Sequence, residues 1–166
     1  MVGDSILSFI YSDTHKRNSR ILEDVFAGEP DELSALLRCH LLVEKNLREF
    51  CSASVSSPKC LEGSKFQFYQ IVNLARALLL EPEDPKMSWV WGGIAILNGM
   101  RNDYAHQLEP DPKAITSKKK KFINLLRPVI KDEPVYQGVD IPFRVYLGIL
   151  AGALSAYLHF CLGANK

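Results

Sequence analysis

An arginine standing where a helix should bury an aliphatic side chain is the first position in this sequence with chemical promise. Along Leu97-Asn98-Gly99-Met100-Arg101-Asn102-Asp103-Tyr104-Ala105-His106, the apolar line of Val90, Ile94 and Leu97 continues at helical spacing through Arg101 and Tyr104 to Leu108. A guanidinium there needs a carboxylate, a set of carbonyl oxygens or a bound anion, because an unpaired buried charge is very costly. Asn102 and His106 stand four residues apart and share a neighbouring face. A second stretch carries a matching anomaly. His40 and Glu44, also four apart, interrupt a stripe of Leu33, Leu37, Leu47 and Cys51. Either these polar groups form one shared site, or they form a packing network in which Arg101 pairs with Glu44 and His40 with Asn98.

The elements that must position these residues read as helices nearly throughout. Extended alternation of Val, Ile and Thr is absent, and Pro and Gly fall at intervals that suit helices. A first helix is predicted from about His15 to Ala27, ending at Gly28; the apolar residues Ile6 to Tyr11 before it have no clear type. Glu29-Pro30-Asp31-Glu32 opens the next, with the stripe Leu33, Leu36, Leu37, His40, Leu41, Glu44, Leu47 and Cys51. Ser52 to Gly63 is a loop, and Ser64 is placed to cap a helix over Lys65 to Leu80. Pro85 to about Gln107 carries the Arg101 segment, and Gly92-Gly93 within it predicts close helix packing. After Leu108 to Pro112, a further helix turns Ile115, Phe122, Ile123, Leu126 and Ile130 inward, with Lys118 to Lys121 crossing its surface. Asp132 to Pro142 is a loop before an apolar C-terminal helix. The expectation is an all-α, single-domain bundle of five or six helices over residues 1–166, with a motif-bearing core at about 31–130 and the last helix at about 142–164.

Composition narrows the possible functions. With 166 residues, 47% hydrophobic and 23% charged, the chain is too apolar to be disordered, and a net charge of +1 gives no global attraction to polyanions. Any contact with RNA must therefore be local. Cys39, Cys51, Cys60 and Cys161 make no C-x-x-C pair and are expected as small buried hydrophobes in a reducing, cytoplasmic setting, with no export signal in Met1-Val2-Gly3-Asp4. No phosphate loop, dinucleotide fingerprint, zinc motif or nucleophile elbow occurs, so neither a cofactor nor a metal is expected. Trp89 and Trp91 are expected in the core. Val145 to Ala164 has no charge and is long enough to span a bilayer, but its Gly, Ala, Ser155, Tyr157 and His159 suit burial in protein better than a membrane anchor. Its Gly148-x-x-x-Gly152 spacing would permit close helix approach.

The string Leu97-Asn98-x-x-Arg101-Asn102-x-x-Ala105-His106 resembles the R-x4-6-H signature of the HEPN superfamily, all-α domains of prokaryotic toxins, phage-defence proteins and RNA-processing nucleases. Leu41-Leu42-Val43-Glu44, on a long helix before an apolar one, resembles the mannitol-operon-repressor-like branch. The resemblance spans about Asp31 to His106. It implies a metal-independent endoribonuclease in which Arg101 and His106 from two protomers assemble a composite site, with Asn102 orienting phosphate or imidazole. Such a histidine moves the 2′-hydroxyl proton or protonates the leaving oxygen, and the guanidinium clamps the scissile phosphate. Independently of the resemblance, two adjacent polar interruptions of an apolar stripe need partners, so Glu44, His40 and Asn98 are expected to support the motif, with Glu44 pairing directly or through water with Arg101 or His106. Five residues separate Arg101 from His106, about 140° around a regular helix and roughly 7.5 Å along it, so a homodimer or a helix unwound near Gly99 is needed to bring them together.

Partners follow from the same reading: a second copy, RNA, and an antitoxin or other regulatory protein. Lys118, Lys119, Lys120 and Lys121 are either a solvated face or contacts to an RNA backbone. The alternative function is a non-catalytic transcriptional regulator or interaction module on the same scaffold, with Arg101, Asn102 and His106 holding an interface or a nucleotide.

Overall fold

The computed structural model describes residues 13–28, 30–79, 85–106, 109–131 and 136–164, and among them every regular element is helical. Among the described residues six α-helices run in the order α1 (Asp13–Phe26), α2 (Glu32–Ser54), α3 (Phe68–Ala77), α4 (Ser88–His106), α5 (Pro112–Ile130) and α6 (Phe143–Ala164), with 3-10 turns at Pro58–Cys60 and Pro85–Met87. The early apolar segment Ile6 to Tyr11 lies outside the described residues, as do Leu80, Leu108 and residues 132–135 of the loop before α6.

Local chemistry sets several helix starts. Asp31 caps α2 by accepting from the Ser34 amide at 3.0 Å, and the Ser34 hydroxyl donates to the same carboxylate at 2.6 Å. Those two bonds hold the Asp31 carboxyl below the usual carboxylate range. Asp111 accepts from the Lys113 amide at 2.9 Å, with Pro112 in the first turn of α5, where its missing N–H costs nothing. At α3 the expectation is corrected. Ser64 does not cap a helix at Lys65, because its hydroxyl donates to the Cys60 carbonyl in the preceding turn. The helix starts at Phe68, where the Gln70 side chain accepts from the Gln67 amide at 2.8 Å.

The helices close around α2 and α6, which pack most extensively against each other. Cys39 of α2 donates to the Leu147 carbonyl of α6, and further along Asn46 and Phe50 line a cleft with Ser155 and Leu158, so the two run parallel. α4 lies against both, α5 covers α4, α3 covers α2, and α1 covers α6. Gly92 and Gly93 serve two different neighbours: a Cβ on Gly92 would stand 3.2 Å from Leu125 of α5, and one on Gly93 only 2.8 Å from Leu150 of α6. Gly152 faces Leu22 of α1.

The inward face of α2 is rotated from the predicted stripe. Ala35, Leu36, Cys39, His40, Leu42, Val43, Asn46, Leu47, Phe50 and Cys51 are buried, whereas Leu33, Leu37 and Leu41 lie on the outer side, Leu41 66% exposed. α2 is apolar over more than one arc, and packing against α3, α4 and α6 selects the arc holding Phe50 and Val43. On α6, Phe143, Tyr146, Leu147, Leu150, Ala151, Leu154, Ser155 and Leu158 form a stripe of helical period in the core. Phe143–Gly163 is long and apolar enough to cross a membrane by length and composition, but this stripe is engaged by the other helices. Trp91 is buried, with Tyr157 edge-on at 6.3 Å, and Trp89 is half-buried. The thiols divide: Cys39 and Cys51 are buried and Cys161 is half-buried, but Cys60 is exposed in its 3-10 turn, contrary to the expectation that all four are core residues.

Candidate functional site

α4 is continuous from Ser88 to His106, with no break at Gly99. Its buried line runs Val90, Ile94, Leu97 and Met100, so Arg101 lies at the margin of the core, half-buried, instead of taking an aliphatic position within it. That margin is a tolerable place for a guanidinium, because part of its surface keeps contact with water. Arg101 Nη1 donates to the Asn102 Oδ1 at 3.2 Å. His106 is the last residue of the helix and is exposed. Among the described residues no hydrogen bond links Arg101 to His106. Regular helical geometry keeps them about 140° apart within one chain.

Beside Arg101 lies the polar part of α2. His40 is 5% exposed and its Nε2 hydrogen-bonds the Asn98 Oδ1 at 3.2 Å; with the amide oxygen accepting, the imidazole carries its proton on Nε2. Phe68, the first residue of α3, stacks on the ring at 4.1 Å between centroids. Burial pulls the His40 pKa below the ordinary histidine value. The Arg101 charge acts in the same direction, and the Asn98 hydrogen bond and Glu44 carboxylate oppose it. His40, Asn98, Arg101 and Glu44 thus share one electrostatic neighbourhood, and His40 is held neutral within it.

One expected contact is absent. Glu44 pairs with neither Arg101 nor His106. It accepts two hydrogen bonds from Arg48 one turn along α2, at 2.7 and 3.0 Å, and the same guanidinium also donates to the Phe66 carbonyl at 2.8 Å. A partner at i+4 on the same helix is already positioned, whereas a cross-helix partner must be brought in by packing. Arg48 thereby ties the segment before α3 to α2.

The lysine run also divides. Lys118 forms a 2.5 Å ion pair with Asp103 and donates to the Gly99 carbonyl at 3.3 Å, pinning the Arg101 segment to α5. Lys119 pairs with Glu32 of α2 and lies 5.1 Å from the Phe143 ring. Lys120 and Lys121 are exposed. Asp103, Arg48 and Phe68 are the site neighbours that sequence reasoning missed. The Gly99/Asp103 spacing of four residues, opposite a lysine on the next helix, was the available signal for Asp103; nothing local marked Phe68.

Neither described cavity opens at Arg101. A depression of about 420 Å³ lies over Pro112, Lys113, Thr116, Ser117 and Lys120, and a cleft of about 180 Å³ lies between α1, α2 and α6. Among the described residues no three His, Cys, Asp or Glu side chains gather as metal ligands would. No protein-family model, curated protein or solved structure matches this chain.

Proposed function

We propose that this chain is a metal-independent endoribonuclease of the toxin or phage-defence type, active as a homodimer. The carrying observation is the disposition of α4: Arg101 is half-buried and oriented by Asn102, while His106 stands exposed at the helix end on a different face. Two such helices meeting across a two-fold axis would place the arginine of one protomer beside the histidine of the other. In that arrangement His106 accepts the 2′-hydroxyl proton as its oxygen attacks phosphorus. As the P–O5′ bond breaks, the leaving 5′-oxygen takes a proton from water, and Arg101 neutralises the charge on the phosphoryl oxygens. The product is a 2′,3′-cyclic phosphate. His40, Asn98 and Glu44 act on Arg101 through charge and packing and do not touch the substrate.

The second reading is a non-catalytic regulator or interaction module. It is supported by the use of Lys118 and Lys119 in internal ion pairs and by the enclosed His40–Asn98–Phe68 contact, which spend polar groups on packing. Cleavage of single-stranded or looped RNA in EDTA separates the two. The nuclease reading expects cyclic-phosphate ends, and loss of cleavage in Arg101→Ala and His106→Ala with fold and dimer retained. An inactive wild-type protein across varied RNAs, together with loss of dimerisation in both variants, would return the cluster to an interface role.

A further inference from the structure

α5 and its C-terminal residue carry seven basic side chains and no acidic one between Pro112 and Lys131. Tertiary structure removes two of them, since Lys118 and Lys119 are paired with Asp103 and Glu32. The remaining five are exposed and make no ion pair among the described residues. Four of these, Lys113, Lys120, Arg127 and Lys131, fall in one row with Ser117 and Asn124 between them, all within about 80° of helical arc. Lys131 keeps helical backbone angles at the helix end, beyond Pro128 within the helix, so the row extends for about 27 Å at the standard rise.

We infer that this row is a docking track for the phosphodiester backbone of a single-stranded nucleic acid. Lys113, Lys120 and Arg127 stand seven residues apart with the neutral hydrogen-bonding side chains of Ser117 and Asn124 between them, and Lys131 follows one turn on, an exposed linear array of cations that matches a linear polyanion. A lipid surface fits less well. An interfacial helix needs an apolar face for the bilayer, and the apolar face of α5, with Phe122, Leu126 and Ile130, is buried in the core. The track also has a direction. Gly99 and Asp103 lie opposite Lys118, and Gly92 opposite Leu125, so α4 and α5 are antiparallel and the Lys113 end of the row lies toward the His106 end of α4. The depression over Lys113, Thr116, Ser117 and Lys120 lies at that same end. That the polyanion is RNA rests on the nuclease reading above. Its placement on Lys113, Lys120, Arg127 and Lys131, and not on Lys118 or Lys119, rests on the ion pairs.

The test is binding of a fluorescent 2′-O-methyl oligouridine, which lacks the attacking hydroxyl, to the full chain at varied salt. Four contacts predict a log–log salt slope of about −2.8, so a fourfold rise in salt weakens binding roughly 50-fold. Lys120→Ala/Arg127→Ala should halve the slope to about −1.4, so that the same rise in salt costs roughly 7-fold. Lys119→Ala should leave the slope unchanged, and thermal unfolding of the double variant should match wild type because both side chains are exposed. Absence of binding by wild type, or an unchanged slope in the double variant, overturns the inference. So does binding to phosphatidylserine vesicles without binding to the oligonucleotide. Cleavage of unmodified RNA measured in parallel separates this inference from the nuclease reading: track-dependent binding without cleavage removes only the nuclease, and cleavage with track-independent binding removes only the track.

Discussion

Two glycines on α4 offer the same substitution in opposite surroundings. At Gly93 an added Cβ would lie 2.8 Å from Leu150 Cδ1, 3.4 Å from its Cδ2 and 3.7 Å from Leu126 Cδ1, with both leucines fully buried. Carbon atoms at optimal separation stand about 3.5–4.0 Å apart, so Leu150 must move by about 1 Å within a packed core. Such overpacking typically costs about 1–3 kcal/mol. At Gly99 the nearest atoms are those of Lys118, at 3.7 Å and beyond, which is ordinary contact. Replacing glycine by alanine within a helix gains about 1 kcal/mol at either site, so this contribution cancels when the two variants are compared. Gly93→Ala should therefore be less stable than Gly99→Ala by about 2 kcal/mol, a gap of roughly 4–8 °C in Tm for a chain of this size. Urea unfolding followed by circular dichroism measures this, with unchanged m-values showing that the denatured state is not the cause. Equal stability of the two variants would refute the close approach of α4 and α6. Gly99→Ala has a second use: if catalysis required α4 to unwind near Gly99, this variant would be more stable and inactive, whereas a two-chain site leaves its activity intact.

Acidification should destabilise the protein through His40. Its folded pKa is depressed, so the unfolded chain takes up the proton first; the stability that neutral His40 contributes is present above the ordinary value of 6.5 and is lost as pH falls through it. In urea melts from pH 7.5 to 5, wild type should lose stability relative to His40→Gln, and a relative gain would reverse the assignment. The Asp103–Lys118 pair, with side chains 18% and 36% exposed, lies between surface and buried ion pairs. A double-mutant cycle with Asp103→Asn and Lys118→Met should give a coupling of about 1–2 kcal/mol, and a value indistinguishable from zero would mean that the pair does not hold α4 to α5. Among the thiols, Cys60 should react first with a disulfide reagent in the native state. Burial pushes Cys39 up to about 12 and Cys51 up to about 11, so labelling of either at the Cys60 rate would contradict their enclosure.

Helical character, the opening of α2 within Glu29–Glu32, the start of α5 after the Leu108–Pro112 punctuation and the close approach at Gly92-Gly93 were legible in the sequence, whereas the cap expected at Ser64 does not form. Capping and glycine chemistry act over a few residues and leave a local trace. The candidate site was legible only in part. Asn98, Arg101, Asn102 and His106 were visible as polar positions at helical spacing, and so was the pairing of His40 with Asn98. The partner of Glu44 was not, because an i+4 arginine and a cross-helix arginine are both available on paper. Nor did the sequence distinguish Lys118 and Lys119 from Lys120 and Lys121. Four consecutive lysines point around about 300° of the helix, and only the position of Asp103 on α4 and Glu32 on α2 decides which are neutralised.

The sequence alone determined that this chain is helical, where several of its helices begin, and that α6 must bury an apolar face. Tertiary structure decided the rest: that α2 turns Val43 and Phe50 inward and leaves Leu41 outside, that His40 is enclosed and neutral under Phe68, and that α5 keeps a row of exposed cations with no ion pair among the described residues. The physical reason is range. Hydrogen bonds and caps within a helix are settled between near neighbours, whereas burial and ion pairing depend on which surfaces of distant segments are brought together.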